Sequence, residues 1–323
     1  MIGKIWIALF VAATIAAAGA ASAADKYPDK PIRVVVPFPP GAASDFLARA
    51  VGQRLSEVYG QQVVIDNRPG AGGLIGSQIV AKALPDGYTL ALVGQPHLSN
   101  TLLREPRPYE PLKDFASVTL VAIIPNVVVI GSGVPANSVT ELIALAKAKP
   151  GQLNFGSAGV GSSSHLAGEM MVAAAGIKAV HVPFKSLADI FTEMIAGRVH
   201  FYVFPLPAAM PMLKDGKLRP VAVATAKRAV ALPNVPTTAE AGFPQYQSES
   251  WFGYVTPAGV PTRLISKLNT DVAKVLQQQD LRERFQMQGA EPSFGSPEQF
   301  HNLQRDEYAR LGKLIKELDI RVQ

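Results

Sequence analysis

Short β-branched runs alternate along this chain with longer stretches in which apolar positions return every three to four residues. That order is expected of strand–helix–strand units around a largely parallel sheet. The strand-like runs are 32–38, 62–65, 89–93, 118–123, 127–130, 153–155, 179–182, 200–204 and 221–224. Helical periodicity falls on 44–59, 74–83, 139–148, 164–175, 187–196 and 208–214, with Gly60 and Gly197 where a helix commonly ends on glycine. After Ala224 the texture becomes rich in proline and glycine as far as Pro261, followed by two amphipathic helices at about 262–278 and 297–318. This tail is too thin in strands to form a lobe, so it is expected to fold back over the first part of the chain. The expected architecture is α/β with two lobes: residues 24–124 plus 225–323, and an inserted lobe of residues 125–224.

The first 23 residues stand apart from this pattern. Lys4 precedes an apolar run from Ile5 to Ala20, and Ala21-Ser22-Ala23 then has the small-residue pattern of a cleavage site. The run falls short of the roughly 20 residues that span a bilayer, so a cleaved export signal and a periplasmic location are expected; an uncleaved anchor is the alternative. The absence of cysteine excludes disulfides, thiolate metal sites, cysteine nucleophiles and acylated lipid anchors. A formal charge of +6, scattered without a Lys/Arg block, argues against nucleic acid as a partner and mildly favours anionic solutes. Histidines 97, 165, 181, 200 and 301 never take metal-ligand spacing, and neither a metal nor a cofactor is expected.

Candidate chemistry concentrates in turns that leave a strand and enter a helix. The first holds Phe38, Pro39, Pro40, Gly41 and Ala42, followed by Ser44 and Asp45. Free amides and the positive end of a helix make such a turn an anion site; the alternative is an ordinary tight turn capped by Ser44. The second, Gly156-Ser157-Ala158-Gly159-Val160-Gly161-Ser162-Ser163-Ser164, carries three glycines and four serines and no formal charge. It lacks the last glycine of a dinucleotide fingerprint, no Gly-Lys-Ser/Thr follows any glycine run, and no serine sits in a nucleophile elbow. A third turn, Asn67–Gly73, offers Arg68 as a fork for a carboxylate, or as a partner for its own loop or a neighbouring aspartate. His165, one turn into the helix after the second loop, either touches ligand or fixes that loop through its ring nitrogens. Phe204, with Phe38, Phe184, Trp251 and Phe252, lies near loop positions, where core packing is the alternative role.

The motifs YPDKPIRVVVPFPPGAASDFLAR, IDNRPGAGGLIGS, FGSAGVGSSSHLAGE, HVPFKS, GKLRPVAVATAKR, LPNVPTTAEAGFPQY and WFGYVTPAGVP, in this order, resemble the extracytoplasmic solute receptors of tripartite tricarboxylate transporters, the Bug proteins. The resemblance covers essentially the whole chain after the leader. It implies a periplasmic-binding-protein fold whose two lobes close on a small carboxylate, held mainly by backbone amides, small hydroxyls and waters of two loops, here Phe38–Ala43 and Gly156–Ser163. It also implies a membrane transporter or a sensor as partner, and no catalysis. The chain departs from the family pattern at Ala42, Ser186 and Asp189. Ser186 and Asp189 have the spacing of a capping box, so Asp189 either places negative charge at the cleft or merely caps its helix. A rival class, an exported hydrolase using Ser162 with His165, lacks a convincing third member. The protein is expected to be monomeric, and Gly156→Val or Gly161→Val is expected to weaken binding without loss of fold.

Overall fold

The computed structural model describes residues 27–317 and Ile320, so the expected export signal lies outside the described residues. In chain order the elements are β1 (Ile32–Val36), α1 (Ala43–Tyr59), β2 (Val63–Asn67), a 3-10 turn (Ala71–Gly73), α2 (Leu74–Ala81), β3 (Thr89–Gly94), α3 (Gln95–Leu102) and β4 (Phe115–Gly131). They continue with α4 (Val139–Ala148), β5 (Leu153–Ser157), α5 (Ser163–Ala175), β6 (Ala179–Pro183), α6 (Leu187–Ile195), β7 (Phe201–Pro205), α7 (Leu206–Lys214) and β8 (Leu218–Val223). The chain closes with β9 (Glu249–Pro257), α8 (Thr262–Leu276), α9 (Gln279–Met287), β10 (Glu291–Pro292) and α10 (Pro297–Glu317). No described helix is long and apolar enough to cross a membrane.

Two parallel groups of strands are joined through long antiparallel ones. β1 lies between β2 and β3, while β5 pairs in parallel with β6 and β7. β4 joins the groups: Phe115–Pro125 pair with β9, whereas Asn126–Gly131 pair with β7 and β8. The two strands expected at 118–123 and 127–130 are therefore one. Pro125 looked like a break, but it falls where β4 exchanges one neighbour for the next, a place where a missing amide hydrogen is tolerated.

The cores divide in the same way. Val34, Val36, Leu47, Val51, Leu92, Val118 and Tyr254 pack in one cluster; Val128, Ile130, Leu142, Phe155, Phe201 and Val203 pack in another. Phe243 and Tyr246 belong to the second cluster, so part of the proline-rich passage expected with residues 24–124 packs with Val128, Phe155 and Phe201 instead. Thr238 Oγ1 donates to the Tyr246 carbonyl and Ser248 N–H to that of Ala224, which keeps the passage there until β9 returns.

Strand β9 was hidden because it is buried on both faces and shows no alternation. Its Gly253 is required by packing: a Cβ there would stand within 2.2 Å of the Phe300 ring. Helix α3 was hidden for the opposite reason. Its Gln95, His97, Ser99, Asn100 and Thr101 are polar yet buried.

Candidate functional site

A cavity of about 590 Å³ lies where the carboxyl ends of the strands in both groups face each other. Five helices begin at its wall: α1 at Ala43 and Ser44, α3 at Gln95 and Pro96, α5 at Ser163 and Ser164, α6 at Leu187, and α7 beside Pro205. Helix starts present unpaired amides and partial positive charge, so this convergence favours an anion. Side chains cap two of them, Ser162 at α5 and Ser186 at α6; α1, α3 and α7 have no side-chain cap. Arg104 and Lys185 also line the cavity, and among the described residues no aspartate or glutamate does. Phe38, Phe184, Tyr202, Phe204, Trp251 and Phe252 supply aromatic surface.

The first turn is held from behind. Asp45 Oδ2 accepts the Gly41 amide at 3.0 Å, and Oδ1 accepts Arg49 Nε at 2.9 Å and Asn67 Nδ2 at 3.0 Å. Burial pushes the Asp45 carboxyl up, but these hydrogen bonds outweigh it and hold it below the usual carboxylate range. Asp45 and Gly41, expected at the ligand, therefore shape the turn, and exposed Pro40 also lies outside the wall. Phe38, Pro39 and Ala42 do line it. Ser44 is not the expected cap. Ala42 holds that position, and the Ser44 hydroxyl is buried in the wall without a partner, as is Trp251 Nε1. Buried donors left unmatched by protein are what a polar ligand or water satisfies.

The second loop is wired largely to itself. The amides of Ala158, Gly159 and Gly161 donate to Ser164 Oγ, Ser157 Oγ and His165 Nδ1, at 3.1, 3.2 and 3.1 Å. Ser162 N–H donates to the Gly159 carbonyl, and Ser162 Oγ accepts the His165 amide at 3.2 Å. Among the described residues this leaves the amides of Val160, Ser163 and Ser164 without a protein partner. Ala158, Ser162 and Ser163 line the cavity. Gly156 and Ser157 do not, because they are buried in β5, and Gly161 stands behind the wall.

His165 takes the loop-fixing role. With Nδ1 accepting from Gly161, the proton of a neutral ring sits on Nε2, 3.6 Å from Glu169 Oε1. Its ring stacks on His181 at 3.9 Å, and His181 Nε2 meets Ser157 Oγ at 2.6 Å. Donor atoms of His165, Glu169 and His181 lie within 4.8 Å of one another. His165 Nδ1 and His181 Nε2 are, however, already engaged by the Gly161 amide and Ser157 Oγ. The Ser162–His165 hydrolase is not supported, since Ser162 Oγ caps α5 and His165 Nδ1 is engaged by Gly161.

Arg68 pairs with Asp66 at 2.8 Å and is absent from the wall. Asp189 is exposed and outside the wall as well, and its amide donates to Ser186 Oγ at 3.1 Å. Asp189→Asn is therefore expected to leave the ranking of carboxylate ligands unchanged in calorimetric titration. It should cost about 0.3–1 kcal/mol in urea unfolding, the usual worth of an acid at a helix start. A shift in ranking toward dicarboxylates would place the carboxylate at the cleft. The cavity residues missed by sequence reasoning include Gln95, Arg104, Lys185 and Tyr202. Only Lys185, beside a turn already singled out, carried a local signal.

A mixed α/β fold, a partly open cavity between two sets of strand ends, and a lining of helix starts without described acids define a solute-binding protein of the periplasmic type. The chain belongs to the tripartite tricarboxylate transporter receptor family, whose model matches residues 47–320. It is 35% identical to the protein BugT of Bordetella pertussis over 307 residues, 94% of each chain. R. palustris Rpa4515, solved with adipate, is 39% identical with a TM-score of 0.87, covering 91% of this chain and 99% of that one. MatC from Rhodopseudomonas palustris, solved with malate, is 29% identical with a TM-score of 0.83, covering 90% and 100%.

Proposed function

We propose that this protein is a periplasmic receptor that closes its two lobes on a small carboxylate and presents it, chemically unchanged, to the membrane subunits of a tripartite tricarboxylate-type transporter. The observation that carries this reading is the cavity wall itself: five helix starts, two cationic side chains and no described acid around one partly open space. Adipate in Rpa4515 and malate in MatC support it. The lobes we infer are separated at β4 near Pro125 and again near Ser248, in place of the expected return at residue 224. That boundary follows the packing of Phe243 and Tyr246 and the exchange of partners along β4.

The test is a melting screen of the protein without its leader against aliphatic and aromatic mono-, di- and tricarboxylates. A ligand at a hundred times its Kd stabilises the native state by about 2.7 kcal/mol, so a true ligand raises Tm by several degrees. The same compound should be recovered intact after prolonged incubation. Turnover that Ser162→Ala abolishes would move the protein to the enzyme class, and a panel without effect would remove the receptor reading.

A further inference from the structure

Arg104 follows α3 on the first lobe, near the start of the 103–114 connection to β4, and lines the cavity. Its side chain is anchored at one corner only. Nη1 donates to the Asn100 side-chain oxygen and to the Asn100 carbonyl, while Nε and Nη2 have no partner among the described residues. The remaining Nε–Nη2 edge is the one that takes a carboxylate with two parallel hydrogen bonds. No described carboxylate pairs with Arg104, although the other arginines at the edges of this region do find acids: Arg49 with Asp45, Arg68 with Asp66, Arg310 with Glu307. Burial lowers the pKa of its guanidinium, the mark of a charge partly withdrawn from water without a counter-ion.

The anchor is itself fixed to both halves of the site. Asn100 Nδ2 donates to the Gly72 carbonyl at 3.1 Å, and the preceding Ser99 donates to the Gly161 carbonyl of the second loop at 2.9 Å. Arg104 is thus held beside the contact between the glycine turn of one lobe and the glycine-rich loop of the other. An arginine placed so, facing a wall without acids, lacks only an anion.

We propose that Arg104 is a specificity-determining residue that binds a second carboxylate of the ligand side-on, selecting dicarboxylates over monocarboxylates of the same length. The assignment rests on the receptor reading above. The first carboxylate is taken by the amides at the starts of α1 and α5, and the spacer between the two lies along the aromatic wall.

The experiment titrates wild type, Arg104→Gln and Arg104→Lys with succinate, glutarate, adipate and benzene-1,4-dicarboxylate, each beside its monomethyl ester. Wild type should bind the best diacid at least tenfold more tightly than its ester, and Arg104→Gln should bring that ratio to within about twofold. Arg104→Lys, which keeps the charge but loses the planar edge, should restore part of the ratio. A merely structural Arg104 would weaken diacid and ester together, leaving the ratio as in wild type, and that result overturns the assignment. So does a wild type without preference for the diacid. Failure of every panel member to bind wild type would remove the receptor reading and this assignment with it. Binding with an undisturbed ratio removes only the assignment.

Discussion

Gly161→Val is expected to weaken carboxylate binding by roughly ten- to a hundredfold, because its added bulk falls on the contact between the second loop and the end of α3, which we infer forms only when the lobes close. A Cβ at Gly161 would stand 2.8 Å from Leu103 Cδ1, just past the end of α3. The Gly161 carbonyl accepts Ser99 Oγ across the same contact. Inserting methyl groups at such a junction costs about 1–3 kcal/mol, charged to the closed form and therefore read as affinity. A second cost is local: Gly161 has φ of 79°, where a β-branched residue is strained, and this lowers stability in open and closed forms alike. Calorimetric titration and urea unfolding separate the two. Wild-type affinity in a folded variant would mean that the second loop does not close on Leu103 when ligand is bound.

Gly156→Val makes the contrast. The sequence suggested that both substitutions spare the fold, but Gly156 lies in β5 beneath α6, and its Cβ would meet Ile190 Cγ2 at 3.1 Å and Val199 Cγ1 at 3.4 Å. Its effect should appear first in stability.

That difference shows what the sequence could carry. Periodicity located nearly every element whose apolar face meets a core, and 139–148 agrees residue for residue with α4. It failed where burial and polarity part company. Helix α3 looks like a loop in Gln95-Pro96-His97-Leu98-Ser99-Asn100-Thr101, because its polar groups reach inward to hold other turns: Ser99 to Gly161, Asn100 to Gly72, His97 to Ser77. Strand β9 failed for want of alternation, being covered on both faces. In the site, the two loops were legible from glycine and serine density. Which of their residues face the ligand was not, because Asp45, Ser157 and His165 bear the chemistry of a site yet spend it on shaping the loops. Arg104 was invisible because nothing in Leu103-Arg104-Glu105 tells whether the neighbouring acid is its partner. In the fold it is Asn100, and no described acid, that Arg104 reaches.

Acidification is expected to destabilise this protein well before its carboxylates titrate: burial lowers the pKa of three histidines, and His97 and His181 set most of the effect, with a smaller part from His200. His97 is fully buried, with its ring 5.1 Å from that of Tyr109, 4.5 Å from that of Phe115, and Nδ1 against Ser77 Oγ. Burial lowers its pKa to about 3. His181, partly buried, is lowered to about 3 by desolvation first and by the neighbouring His165 second. In the unfolded chain both rings titrate near 6.5, so between pH 6.5 and 3 the unfolded state binds protons that the native state refuses. The contribution of the neutral rings is fully present above pH 6.5 and is lost as pH falls toward 3. Each fully protected histidine costs about 1.4 kcal/mol per pH unit across that window. His181 is screened by its exposure and gives less, so a loss on the order of 3 kcal/mol is expected between pH 7 and pH 5. Urea unfolding at several pH values measures the slope, and His97→Gln supplies the decisive comparison. The glutamine keeps a polar partner for Ser77 but cannot take up a proton, so the variant should be less stable at pH 7 and yet lose stability less than half as steeply on acidification. A variant whose slope between pH 6.5 and 5 matches wild type would show that His97 charges in the folded protein, and that the helix carrying Ser99 and Asn100 tolerates a cation at its core.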